Sequence, residues 1–247
     1  MDAVNIALEL AVQDPAGVRV AREVGAARVE LTQALALGGL TPSPATLELA
    51  REAAGEGGPE IHVLIRPRAG GFQYDSDEIA LSVRDVEWAI ANGADGVVIG
   101  ALDPSGGLDL DAMARLRDAA GGASVTLHRA IDVTADPIAT LERAIELGLR
   151  RVLTSGGAST AIEGIDTLRA LVAVADGRIE IMAGSGVVAN AAMALVATGV
   201  DALHFSAKRS VVADGAGVRM GSASDGVGGY EVTDRVAAFA VRQVLGD

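Results

Sequence analysis

One junction recurs along this chain and limits the fold more than any other feature. A helical pattern ends at Gly, a short step follows, and an apolar strand pattern begins. Val24-Gly25-Ala26-Ala27-Arg28-Val29-Glu30-Leu31 is the first instance and Asn92-Gly93-Ala94-Asp95-Gly96-Val97-Val98-Ile99 the second. Leu147-Gly148-Leu149-Arg150-Arg151-Val152-Leu153-Thr154 and Thr198-Gly199-Val200-Asp201-Ala202-Leu203-His204-Phe205 repeat it. Each Gly stands where a helix C-terminus takes a left-handed residue. A repeated helix-to-strand unit argues for a regular parallel architecture rather than a mixed α+β domain.

The apolar patterns predict eight strands near residues 4–10, 28–31, 61–66, 95–100, 124–128, 151–154, 179–183 and 202–206. Helical patterns lie between them near 15–25, 44–54, 77–92, 109–119, 136–147, 162–175 and 189–198, with a last one near 231–245. Asp14-Pro15, Ser43-Pro44 and Asp136-Pro137 are N-cap and first-turn pairs. The reading is an α/β fold: one (β/α)8 TIM-type barrel over residues 1–247, the usual size for that architecture. An open doubly wound sheet is the alternative, but no G-x-G-x-x-G follows the first strand. The stretch 208–229, rich in Gly, Ser, Ala and Asp, reads as an irregular loop after strand eight, a lid or an interface arm.

Half of the residues are hydrophobic (50%) but only 2% are aromatic, so Ala, Val, Leu and Ile must fill the core. A net charge of −13 repels phosphate backbones and argues against nucleic-acid binding. Without cysteine there is no disulfide, thiolate metal site or thiol nucleophile. No apolar run is long enough to span a bilayer, and the N-terminal residues lack a signal-peptide pattern, so the expected location is cytoplasmic.

Alternation along each strand separates residues facing the helices from residues facing the barrel axis. Placing Leu8, Leu10, Val29, Leu31, Val63, Ile65, Val125 and Leu127 outward leaves Glu9, Glu30, Arg66 and His128 inward. The same reasoning puts Thr154, His204 and Ser206 inward, and His62 inward but near the opposite end, as a structural residue. Burying unpaired charges costs several kcal/mol each on an order-of-magnitude scale. A mixed acid, base and cation cluster at the strand carboxyl ends therefore points to a small-molecule site. A Glu–Arg66 ion pair that merely closes the barrel is the structural alternative.

His128, Glu9, Glu30 and Arg66 are the catalytic candidates, with His128 as general acid or base because its ordinary pKa lies near neutrality. Two glycine-rich turns follow strands six and seven, Thr154-Ser155-Gly156-Gly157 and Ala183-Gly184-Ser185-Gly186. Late-barrel turns of this kind present backbone N–H groups to anions. Ser155, Gly156, Gly157, Gly184, Ser185, Gly186 and Ser206, with Arg68 and Arg129, are the anion-binding candidates. No metal site is expected from the residues; His128 and His204 are the imidazoles best placed to be ligands.

Several stretches together resemble the CutC family, associated with copper homeostasis. They are Arg28-Val29-Glu30-Leu31, Gly38-Gly39-Leu40-Thr41-Pro42-Ser43, Ile65-Arg66-Pro67-Arg68 and Gly93-Ala94-Asp95-Gly96-Val97-Val98. Val125 to Asp132, Leu153-Thr154-Ser155-Gly156, Ile181 to Val187 and His204-Phe205-Ser206-Ala207 continue the match. The resemblance implies a TIM-type barrel, a cytoplasmic location, self-association and a link to copper, with copper as the implied cofactor. This chain departs from the family pattern at Thr32, where Cys is common, and at Gly71, where Asp is frequent. Cu(I) prefers thiolate and thioether ligands, so the residues themselves favour a different use of the site. The alternative is an acid/base enzyme acting on a small anionic or phosphorylated metabolite. A binding protein that uses the same pocket without catalysis is the third reading.

Overall fold

A computed structural model describes residues 6–212 and 229–246. Eight parallel strands close into a barrel in chain order, the last pairing back onto the first. They are β1 (Ala7–Val12), β2 (Arg28–Leu31), β3 (Glu60–Leu64), β4 (Gly96–Ile99), β5 (Ser124–Leu127), β6 (Arg151–Thr154), β7 (Glu180–Gly184) and β8 (Ala202–Phe205). The helices between them are α1 (Pro15–Glu23), α2 (Pro44–Ala54), α3 (Ser76–Ala91), α4 (Leu110–Ala119), α5 (Pro137–Glu146), α6 (Ile165–Ala175) and α7 (Ala189–Val196). After β8 come β9 (Lys208–Val212), β10 (Gly229–Thr233) and α8 (Arg235–Leu245). The expected barrel is the observed one.

The local signals act as their chemistry requires. Gly25, Gly93, Gly148 and Gly199 all adopt positive φ, between 67° and 91°. Asp14, Ser43 and Asp136 each accept a hydrogen bond from the first turn of a helix whose first residue is Pro. No helix among the described residues is long and apolar enough to cross a membrane.

Outward strand residues such as Leu10, Leu31, Ile61, Ile99 and Leu127 are fully buried under the helices, and they form the main core. The barrel axis is filled differently. Its lower part is charged: Arg28 pairs with Glu9 at 3.0 Å, Arg151 with Glu180 at 2.8 Å, and His62 with Glu60 at 3.2 Å. Leu153, Met182 and Ala202 form a separate small apolar cluster, packed against Ala7.

Two expectations change. Thr154 does not face the axis: Leu153 sits opposite the inward Met182 in the β6–β7 register, so alternation turns Thr154 outward. The stretch after β8 is not irregular at its start, because Lys208–Val212 pairs antiparallel with Gly229–Thr233. The rest of the expected loop, 213–228, lies outside the described residues.

Candidate functional site

A cavity of about 680 Å³ opens at the carboxyl ends of the strands. Of the predicted site residues, Glu30, Arg66, His128, Arg129, Ser185, Gly186, His204 and Ser206 line it. Glu9 lies one layer below, fully buried.

Glu30 and His204 form the chemically distinctive wall. β1 places Glu9 beside Arg28 of β2 on one side and beside His204 of β8 on the other. Glu9 Oε2 accepts from Arg28 Nε at 3.0 Å, and Glu9 Oε1 meets His204 Nδ1 at 2.9 Å. His204 Nε2 then stands 3.7 Å from Glu30 Oε2, too far for a hydrogen bond and close enough for strong electrostatic coupling. Burial by itself would raise the Glu9 carboxyl. The hydrogen bond and charge of His204, with the charge of Arg28, outweigh burial and hold Glu9 at about 2. Glu30 moves the other way: burial and the charge of Glu9 raise it against the opposing pull of His204. Burial disfavours the His204 cation, yet Glu30 and the Glu9 hydrogen bond overcome this and raise its pKa. One carboxylate is thus a fixed anion, while the other carboxyl and the imidazole remain able to exchange protons.

His128 behaves otherwise. β5 ends at Leu127, and a 3-10 turn over Arg129–Val133 begins immediately after it. Nδ1 of His128 accepts the N–H of Ala130 at 3.1 Å. A backbone N–H can only donate, so Nδ1 carries a lone pair and the ring proton sits on Nε2. Nε2 is buried without a partner. Burial, followed by the charge of Arg66, holds the pKa of His128 at about 3. The imidazole is therefore neutral near neutral pH, a hydrogen-bond donor rather than a proton exchanger. Phe72 packs over it with ring centroids 4.7 Å apart. Gly100 makes room beneath, since a Cβ there would lie 2.5 Å from Nδ1.

The early end of β5 also redirects Arg129. Strand alternation alone would point it away from the axis; the 3-10 turn brings it to the cavity wall instead. Its Nε donates to Asp132 at 2.7 Å and its Nη2 to Ser155 Oγ at 2.9 Å. Asp132 itself fills the turn after β6. It accepts from Thr154 Oγ1 at 2.5 Å, from the N–H groups of Ser155 and Gly157 at 3.0 and 3.1 Å, and from Ser155 Oγ at 2.9 Å. The donors of Ser155 and Gly157 thus serve an internal carboxylate, and Ser155, Gly156 and Gly157 lie outside the cavity lining.

Arg66 spends its guanidinium on backbone: Nη1 donates to the carbonyls of Leu37 and Gly39 at 2.9 Å and Nη2 to that of Gly70 at 2.8 Å. Its Nε is buried without a partner, and its cation lies 5.3 Å from the centre of the Phe72 ring. Arg68 turns away to pair with Glu78 and sits over Tyr74. Gly184 ends β7 and packs between Leu153 and His204. Lys208 reaches the cavity rim but is paired to Glu231 at 2.7 Å. His62 stays in the charged lower part of the barrel with Glu60.

Sequence reasoning missed Arg28 as an organiser, left Asp132 without its contacts to the turn after β6, and placed His204 in the inward cluster without an acid/base role. The available signals were Arg28 at an inward position, and the Arg129–Asp132 spacing of three.

A family model, the CutC family, matches residues 6–209. The chain belongs to the CutC family. The family protein CutC of Xylella fastidiosa (strain Temecula1) is 47% identical over 246 residues, covering 98% of this chain and 88% of the relative. The CutC protein of Xanthomonas campestris pv. campestris (strain 8004) is 50% identical over 207 residues, covering 83% of this chain and 85% of its own. A solved CutC structure from Streptococcus agalactiae, which carries a provisional copper-homeostasis name, superimposes with a TM-score of 0.78 at 32% identity. That alignment covers 81% of this chain and 98% of the other. An aldolase, QR15, matches with a TM-score of 0.63 at 19% identity, covering 83% and 92% of the two chains. At that distance the likeness shows the barrel alone.

Proposed function

We propose that this CutC-family chain is an acid/base enzyme acting on a small anionic metabolite at the barrel mouth. The observation that carries the reading is the Glu30–His204 pair, 3.7 Å apart on the cavity wall and oriented from behind by Glu9 and Arg28. A paired acid and base with separated environments is the usual arrangement for moving protons near neutral pH. Arg129 on the wall and Gly186 and Ser206 at the rim supply positive charge and polar groups for an anion, while the Ser185 hydroxyl is already given to the carbonyl of Ser159 at 2.8 Å.

Copper handling, which the name of the Streptococcus agalactiae relative carries, finds little support in these side chains. The chain has no cysteine. Met113 is locked in the core, Met182 in the barrel interior, and Met193 on the surface of α7. Glu9, His204 and Glu30 are neighbours, but among the described residues no group of three or more His, Asp or Glu side chains is arranged to hold a metal ion. His204 Nδ1 is engaged by Glu9, and Arg66 and Arg129 repel a cation from the same cavity.

The test incubates the purified chain with a small-molecule metabolite extract and follows it by mass spectrometry. The expected result is consumption of an anionic compound by the unmodified chain and not by folded Glu30→Gln. Identical profiles for the two would overturn the reading. A Cu(I) titration against a chromogenic chelator belongs beside it; copper withdrawn stoichiometrically by the protein would favour the copper role instead.

A further inference from the structure

We propose that Glu30 and His204 work on the same face of the substrate and move a proton between a carbon and the oxygen of the neighbouring carbonyl. The reaction class is tautomerisation of an α-hydroxy carbonyl compound, an aldose–ketose type of isomerisation. This inference rests on the acid/base reading above and narrows it.

The geometry carries the argument. Both groups belong to one wall of one cavity, and their facing atoms, Glu30 Oε2 and His204 Nε2, stand 3.7 Å apart. Two groups so close cannot address opposite faces of a molecule, as water activation on one side and leaving-group protonation on the other would require. They can address two adjacent atoms on one face. Their roles differ by construction. His204 is fixed by Glu9 through Nδ1 at 2.9 Å, which leaves Nε2 as its working atom. Glu9 is in turn fixed by Arg28 at 3.0 Å, so the imidazole cannot turn without breaking a buried ion pair. Among the described residues Glu30 has no side-chain hydrogen-bond partner at 3.5 Å or less, which leaves its carboxylate to receive a proton from substrate.

The step balances without any co-reactant. The Glu30 carboxylate takes the proton from the carbon next to the carbonyl. The C–H electron pair becomes the C=C bond, and the carbonyl π pair moves onto oxygen. That oxygen takes the Nε2 proton of the His204 cation. The product at this stage is an enediol beside a neutral imidazole and a protonated Glu30. In the second half His204 removes the proton of the neighbouring hydroxyl, whose O–H pair becomes the new C=O. The C=C pair then takes the proton back from Glu30 at the former carbonyl carbon. Both side chains return to their starting states. Their shifts suit these roles: a raised Glu30 is a stronger base as a carboxylate, and the raised pKa of His204 favours its protonated form, which donates.

The experiment follows proton NMR in D2O with glyceraldehyde, dihydroxyacetone, their phosphates, and pentose and hexose analogues with and without a terminal phosphate. The expected result is enzyme-dependent loss of the C–H signal next to the carbonyl in at least one probe, with formation of its isomer. Glu30→Gln should slow both by about 10²–10⁴-fold, the usual contribution of one acid/base group. His204→Gln should suppress isomer formation more than C–H exchange, because the enolate can still be re-protonated at its own carbon. Should Glu30→Gln not fold, the pH profile of the unmodified chain supplies the test. Isomer formation must rise as Glu30 loses its proton and fall as His204 loses its own. Absence of exchange in every probe, a flat pH profile, or isomer formation unchanged in His204→Gln would overturn the proposal. Glu30-dependent consumption of some metabolite without C–H exchange would remove this inference and leave the acid/base reading standing.

Discussion

Replacing Glu9 by Gln tests the organisation of the site from its buried side. Glu9 is fully buried, and its two oxygens serve Arg28 at 3.0 Å and His204 at 2.9 Å. The substitution keeps the shape and removes the charge, leaving the buried Arg28 cation and the His204 ring to face a neutral amide. Breaking a buried ion pair from one side typically costs about 3–5 kcal/mol. Depression of Glu9 from 4.5 to about 2 gives an independent figure of about 3 kcal/mol, at 1.4 kcal/mol per pKa unit. The sign is fixed by linkage. A depressed carboxyl stabilises above its unfolded pKa, and that contribution is lost as pH falls from about 4.5 towards 2. His204, whose pKa is raised in the folded state, adds stability below its unfolded value near 6.5, and this is lost as pH rises through the folded value. The penalty of Glu9→Gln should therefore be largest between the two, at about pH 5 to 6. It should shrink in acid, and should fall partly in alkali, where only the Arg28 contact remains. Urea unfolding across pH gives the penalty, and NMR of the His204 ring should show its titration moving down in the variant. A penalty below about 1 kcal/mol at every pH, or a His204 titration that does not move down, would refute the network described here.

Three further outcomes follow from particular contacts. Gly100→Ala should cost about 1–3 kcal/mol by overpacking, because its Cβ would meet the His128 ring, and the loss of the Ala130 hydrogen bond should appear in His128 chemical shifts. Asp132→Ala should destabilise by about 3–5 kcal/mol, since it leaves Arg129, Ser155 and Gly157 donors without their acceptor; thermal unfolding measures this. Proteolysis should then begin in the turn after β6. Arg68→Ala, which removes a half-exposed pair with Glu78, should change stability by at most about 1 kcal/mol and leave ligand binding untouched in calorimetry.

The amino-acid order alone determined the repeated units, the eight strands, the helix caps and the inward placement of Glu9, Glu30, His128 and His204. These are local matters: left-handed glycines, Asp-Pro and Ser-Pro starts, and the two-residue alternation of a strand are all written within a few residues. Tertiary structure decided what each inward residue does. Barrel stagger set Glu9 between Arg28 and His204, a relation across strands far apart in sequence that no spacing reveals. The end of β5 at Leu127 turned Arg129 towards the mouth and gave His128 a backbone donor that keeps it neutral. Asp132 took the turn after β6 for itself. The recurring Gly junction thus fixed which ends of the strands share one face. Burial and neighbouring charge, which exist only once the barrel closes, made Glu30 and His204 rather than His128 the groups poised to exchange protons.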